Sequence, residues 1–125
     1  MTPEQIGRLA ATRYGRSLQM SQLPAKVHGV PGVWFWQPTR VSKAPRAGEP
    51  TAENDDELRK VYDTVRSNLP AGVVDLTTAY DASPRPIYGD DIRANEEGAR
   101  LVAAAMYRTL RSQLERLDSA QRGDR

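Results

Sequence analysis

Val33-Trp34-Phe35-Trp36, bracketed by Val30-Pro31-Gly32 on one side and Gln37-Pro38 on the other, is the stretch on which the fold turns. It is a continuous apolar run of strand length. Pro38 ends it, because proline has no N–H to give to a sheet ladder. A strand that is apolar on both faces belongs in a parallel sheet covered by helices. Helices are therefore expected to cover it.

Upstream, Ile6, Leu9, Ala10, Tyr14, Leu18 and Val27 recur roughly every three to four residues, the spacing of a helix. Thr2 is placed to cap it, with Pro3 at the first helical position and Glu4 near its positive end. Pro24 predicts a kink or break, and Gly29 a stop. Downstream, residues 39–52 (TRVSKAPRAGEPTA) form a Pro/Ala/Arg-rich loop without periodicity. A loop of that length is functional or mobile, and its Lys and Arg side chains are expected in solvent. Asn54 with Glu57 reads as a capping box opening a second helix, whose apolar face is Leu58, Val61, Tyr62, Val65 and Leu69. Pro70-Ala71-Gly72 breaks it, and Val73–Thr77 is a second short strand. After a turn-rich segment, Asn95 caps a last helix with the stripe Leu101, Val102, Ala105, Leu110, Leu114 and Leu117.

The order helix-strand-helix-strand-helix indicates an α/β layered domain with parallel strands. Two strands leave both sheet edges open, so the chain reads as part of a larger doubly wound sheet. The 125 residues make one domain or most of one. Eighteen basic against sixteen acidic side chains give a net charge of only +2, which argues against nucleic-acid binding. There is no cysteine, so disulfides, thiolate catalysis and cysteine metal sites are excluded. No apolar run approaches the ~18 residues of a membrane span. Met1-Thr2-Pro3-Glu4-Gln5 is not a signal peptide, and the expected location is cytoplasmic.

In an open parallel sheet, ligands sit beyond the carboxyl ends of the strands. Three segments are expected to converge there: Gln37-Pro38, Asp75-Leu76-Thr77 and the loop Asp90–Asn95. The last belongs to Tyr88-Gly89-Asp90-Asp91-Ile92-Arg93-Ala94-Asn95-Glu96-Glu97-Gly98, which feeds the final helix. An acid three residues before a base on one loop can orient that base towards a nucleophile from elsewhere. Here the acid is Asp90, and an arginine, Arg93, stands where the base is expected.

Val73–Thr77, then Tyr88–Gly98, then a long helix, resemble the C-terminal block of the SGNH (GDSL-type) hydrolases. That block reads Asp-x-x-His, commonly followed by Pro or Thr, then Asn, two variable positions and Gly. Trp34-Phe35-Trp36-Gln37-Pro38 is also similar to a strand of bacterial members. The resemblance implies a partial flavodoxin-like three-layer α/β/α sandwich, with 1–117 the C-terminal portion of an SGNH hydrolase-like domain and 118–125 a flexible tail. It implies the family's activity, hydrolysis of carboxylic or acetyl esters by a serine in a Gly-Asp-Ser block, with no cofactor and no metal. It makes Asp90 the triad acid and puts Arg93 at the histidine position.

Two departures oppose that chemistry. None of Ser17, Ser21, Ser42, Ser67, Ser83, Ser112 and Ser119 follows Gly-Asp. Arg93 is no base, because a guanidinium with a pKa above ~12 has no lone pair for a serine proton at neutral pH. Losing either the nucleophile or the base of a triad costs on the order of 10⁶ in kcat. The expectation is a catalytically incomplete fragment or remnant of an ester hydrolase. The alternative is a non-catalytic pseudoenzyme that binds a protein or ligand. Either reading leaves an open sheet edge for a second copy or for a separate N-terminal half, with no nucleic acid and no membrane as partner. Asp90 and Arg93 are then expected to form an ion pair that holds their loop, Asp75 to cap a turn, and Trp34 and Trp36 to fill a core. His28, the lone histidine, is expected at a helix end.

Overall fold

The computed structural model describes residues 1–123. Helix α1 spans Pro3–Val27, strand β1 Trp34–Trp36, and a 3-10 turn Arg40–Ser42. Helix α2 spans Asp55–Ser67, strand β2 Val73–Asp75, and helix α3 Glu96–Gly123. The segment 118–123 of the expected tail is thus the last part of α3. Positions 124 and 125 lie outside the described residues.

Helix α1 opens on a reciprocal cap. The Thr2 hydroxyl accepts the Gln5 N–H at 3.2 Å, and the Gln5 side chain accepts the Thr2 N–H at 2.7 Å. The helix runs through Pro24 to Val27 instead of breaking there. Pro24 stands in the last turn, where its missing N–H removes little of the ladder. The chain still closes on it, since His28 N–H donates to the Pro24 carbonyl at 3.0 Å. His28 is the C-cap.

Helices α1 and α2 pack directly on one another. Gly7 makes this possible: a Cβ there would lie 2.6 Å from Thr64 Cβ and 2.8 Å from the Val61 carbonyl oxygen. Trp36 joins β1 to the pair, its ring 5.2 Å from Tyr14 of α1 in an edge-on contact and 6.3 Å from Tyr62 of α2. Strands β1 and β2 are parallel, with Trp34 opposite Val73, Phe35 opposite Val74 and Trp36 opposite Asp75. A second cluster forms around the fully buried Ile87 with Tyr80 and Tyr88, and Leu101 and Val102 of α3 pack against it. Helix α3 is therefore fastened chiefly by the turn-rich segment that precedes it.

The three-layer α/β/α sandwich is not formed. More than half of the chain is helical, and the sheet consists of two strands of three residues each. The element order also differs from the expected helix-strand-helix-strand-helix, because a 3-10 turn stands between β1 and α2. The physical reason lies in sheet width. Pro31-Gly32 and Pro38 confine β1, and Pro70-Ala71-Gly72 and Leu76 confine β2. Two such strands are too narrow to separate two helical layers. Trp34, Phe35 and Trp36 are consequently half-buried instead of enclosed on both faces.

Candidate functional site

The segment 88–98 is built by local hydrogen bonds. Tyr88 and Ala94 form an antiparallel bridge, and Asn95 N–H donates to the Ile87 carbonyl at 2.7 Å. The excursion 89–93 is thus pinched at its neck. Asn95 does three things at once. Its backbone closes the neck, its side-chain amide donates to the Pro86 carbonyl at 2.8 Å, and its side-chain oxygen accepts the Gly98 N–H at 3.0 Å. The last bond is the cap of α3. Gly98 follows because a Cβ there would meet Ile87 Cγ2 at 2.6 Å and Ala94 Cβ at 2.9 Å. The Asn-x-x-Gly spacing is explained by a cap followed by a close approach, with no ligand required.

Inside the excursion, Asp90 Oδ1 accepts two backbone N–H groups, from Arg93 at 2.6 Å and from Ile92 at 2.9 Å. Those N–H groups, Arg93 first, hold the Asp90 carboxyl below its ordinary range. Both Asp90 and Arg93 are exposed. The expected ion pair between their side chains is not among those of the described residues, and no serine hydroxyl is hydrogen-bonded to either. Ser83, which is buried, accepts the Arg85 N–H at 3.3 Å, and Ser42 bonds Thr39.

Gln37-Pro38 and Asp75-Leu76-Thr77 leave the sheet side by side, since Trp36 pairs with Asp75 and Leu76 N–H donates to the Trp36 carbonyl at 2.9 Å. The buried Tyr88 hydroxyl donates to the Pro38 carbonyl at 3.2 Å, tying the loop to the chain just beyond β1. Burial pushes the Tyr88 phenol well above its ordinary pKa, so it is a structural donor and not a proton shuttle. The Asp75 carboxylate accepts the Thr77 N–H at 2.9 Å, the turn cap read from the sequence, and Arg66 Nε of α2 at 2.8 Å. Burial raises its pKa, but these bonds outweigh burial and the net shift is downward.

The loop 39–52 holds the charges that the sequence reading placed in solvent. Arg40 is buried, and its guanidinium donates to both oxygens of Asp55, Nη1 to Oδ2 at 2.6 Å, and to the Pro50 carbonyl at 3.1 Å. Arg40 and then the Ala52 N–H depress the Asp55 carboxyl to about 2. The Arg40 Nε is buried without a hydrogen bond, 3.5 Å from the Asp91 carboxylate. Lys43 binds both oxygens of Glu49 at 2.6 and 2.7 Å, and Glu49 also accepts the Ile87 N–H at 3.1 Å. The Lys43 side chain is 7% exposed and that of Glu49 0%, so this pair is sealed under the loop.

Asn54, expected to cap α2 through its side chain, makes no such bond. Asp55 is the first helical residue, and Ala52 N–H donates to its carboxylate at 3.0 Å. The span 40–55 carries three cations, Arg40, Lys43 and Arg46, and three acids, Glu49, Glu53 and Asp55, so its composition does not say which of them pair. What that composition lacked was any periodicity to show which ones fold inward.

Among the described residues, no group of three or more His, Asp or Glu side chains is arranged to hold a metal ion. No described helix is long and apolar enough to cross a membrane. No protein-family model, curated protein or solved structure matches the chain.

Proposed function

We propose that this chain is an SGNH hydrolase-like protein that does not cleave esters by itself. The observation that carries the reading is the state of the acid–base loop. Asp90 Oδ1 accepts the backbone N–H groups of Ile92 and Arg93, and an exposed guanidinium stands where the resemblance puts the base. An ester hydrolase needs an imidazole that takes a proton from serine, with a carboxylate behind it. A permanently protonated Arg93 takes no proton, and Asp90 orients a turn in place of a ring. With no serine in a Gly-Asp-Ser context, the attacking group is missing as well. Labelling with a fluorophosphonate, which reacts with activated serines, tests this. The purified chain is expected to give no adduct by intact mass, and a stoichiometric adduct on one serine would defeat the proposal.

A second reading, a non-catalytic module that binds a protein, is favoured by apolar side chains left in solvent on two helices. Met20 and Leu23 of α1 and Tyr107, Leu114 and Leu117 of α3 are all exposed. The outer edge of the two-stranded sheet supports the same reading, as a place where a second copy or a separate N-terminal half adds a strand.

A further inference from the structure

Helix α1 has two faces of different kinds. Gly7, Ala11 and Leu18 are buried, on the side that meets α2. About half a turn round the helix, Ile6, Leu9, Arg13, Arg16, Met20 and Leu23 follow one another at alternating spacings of three and four, and all six are exposed. Met20 is 77% and Leu23 63% exposed. This is the heptad spacing of a helix–helix seam, in which apolar side chains insert between those of a facing helix. The seam is apolar at both ends and cationic in the middle.

Neither arginine takes part in an ion pair among the described residues. Glu4 is the one acid of α1, and its neighbouring charges are Lys60 and Arg8. The seam therefore has apolar surface to cover and two positive charges to match. A second copy does not match them. Antiparallel pairing of two α1 helices sets Ile6 against Leu23 and Leu9 against Met20, but it sets Arg13 against Arg16 twice. Parallel pairing sets each arginine against itself. Both place four guanidiniums together with no carboxylate between them. A bilayer surface fits poorly too, because interfacial helices carry their cations on the polar face, not in the middle of the apolar one.

We propose that the outer face of α1 docks an amphipathic helix of a partner protein, apolar towards its ends and carrying carboxylates at its centre opposite Arg13 and Arg16. Charge fixes the occupant: the apolar ends accept many helices, and the two guanidiniums select those with acids at the matching positions. Because the helix is solvent-exposed on this face, docking needs no rearrangement of the α1–α2 contact.

The probe is a labelled synthetic peptide of residues 2–28 in which Arg13→Glu and Arg16→Glu are both made. It presents matching apolar ends and two central carboxylates. Fluorescence anisotropy with the unaltered chain is expected to show saturable binding that weakens as salt rises. The peptide of the unaltered 2–28 sequence is expected to bind about tenfold or more less tightly. The R13E/R16E chain should reverse that preference, with circular dichroism as the check on its folding. The comparison of the two peptides on the unaltered chain stands without any variant. Equal binding of the two peptides, or binding of neither, overturns the proposal. So does a dimer of the unaltered chain in sedimentation that R13E/R16E abolishes, or capture by phosphatidylglycerol vesicles without preference between the peptides.

Discussion

Asp90 reaches Arg93 through the backbone: its Oδ1 accepts the Arg93 N–H at 2.6 Å, while no ion pair joins the two side chains. The carboxylate therefore acts on the shape of its loop and not on the guanidinium. The same oxygen also takes the Ile92 N–H, the pattern of an aspartate folding its own turn.

Asp90→Ala is expected to speed amide hydrogen exchange at Ile92 and Arg93, while exchange in the middle of α3 stays as it was. Asp90→Asn, which keeps an oxygen acceptor, should retain most of the protection. Arg93→Ala should leave both amides protected, because the bond uses the main chain. Loss of protection in Arg93→Ala equal to that in Asp90→Ala would restore the side-chain ion pair as the holding contact.

The parts legible in the sequence were those decided by neighbours. Thr2 and Asn95 were readable as caps because a cap is satisfied within three residues. Asp75 was readable as a turn former for the same reason. The sandwich failed because sheet width is not a local property. Trp34-Phe35-Trp36 is apolar on both faces, yet what lies against each face is decided by other strands. Arg40 and Lys43 were misread as solvated because their partners stand fifteen and six residues on, with no periodic pattern to announce them. Asn54 does stand at the N-cap of α2, but its side chain makes no capping bond.

The Lys43–Glu49 pair anchors the loop 39–52 beneath Ile87. Replacing Glu49 by Leu leaves Lys43 without its partner in a sealed site and frees the Ile87 N–H. The expected loss is about 3–5 kcal/mol, read from urea unfolding. The double change Lys43→Met/Glu49→Leu should recover much of that, since it removes both charges together. A single-site loss below about 1 kcal/mol would mean that the loop is held elsewhere.

Acid should destabilise the fold over a defined window. A carboxylate whose pKa falls on folding contributes stability above its unfolded value of about 4, and that contribution is lost as pH drops through the folded value. For Asp55 the folded value is about 2, set first by the Arg40 hydrogen bonds. Glu4, Asp75, Asp90 and Glu97 shift in the same direction. The urea midpoint is expected to fall between pH 4 and about 2. Asp55→Asn should start lower at neutral pH and fall less steeply. An unchanged slope in that variant would remove the Arg40–Asp55 pair from the explanation.

Gly98 is required by contact and not by backbone freedom. Gly98→Ala should cost about 1–3 kcal/mol despite alanine's better helix propensity, because the added methyl meets Ile87 and Ala94. The loss should appear as weakened docking of α3, with Tyr80 and Tyr88 becoming more accessible to solvent. A stabilised Gly98→Ala variant would show that α3 shifts freely on its cluster.

The most direct measurement is turnover of p-nitrophenyl acetate by the purified chain and by Arg93→His. Both are expected to match buffer. An imidazole placed at position 93 supplies no nucleophile. Saturable hydrolysis by the unaltered chain would contradict the proposal that it does not cleave esters by itself. Hydrolysis by Arg93→His alone would show that a serine is already poised beside the loop.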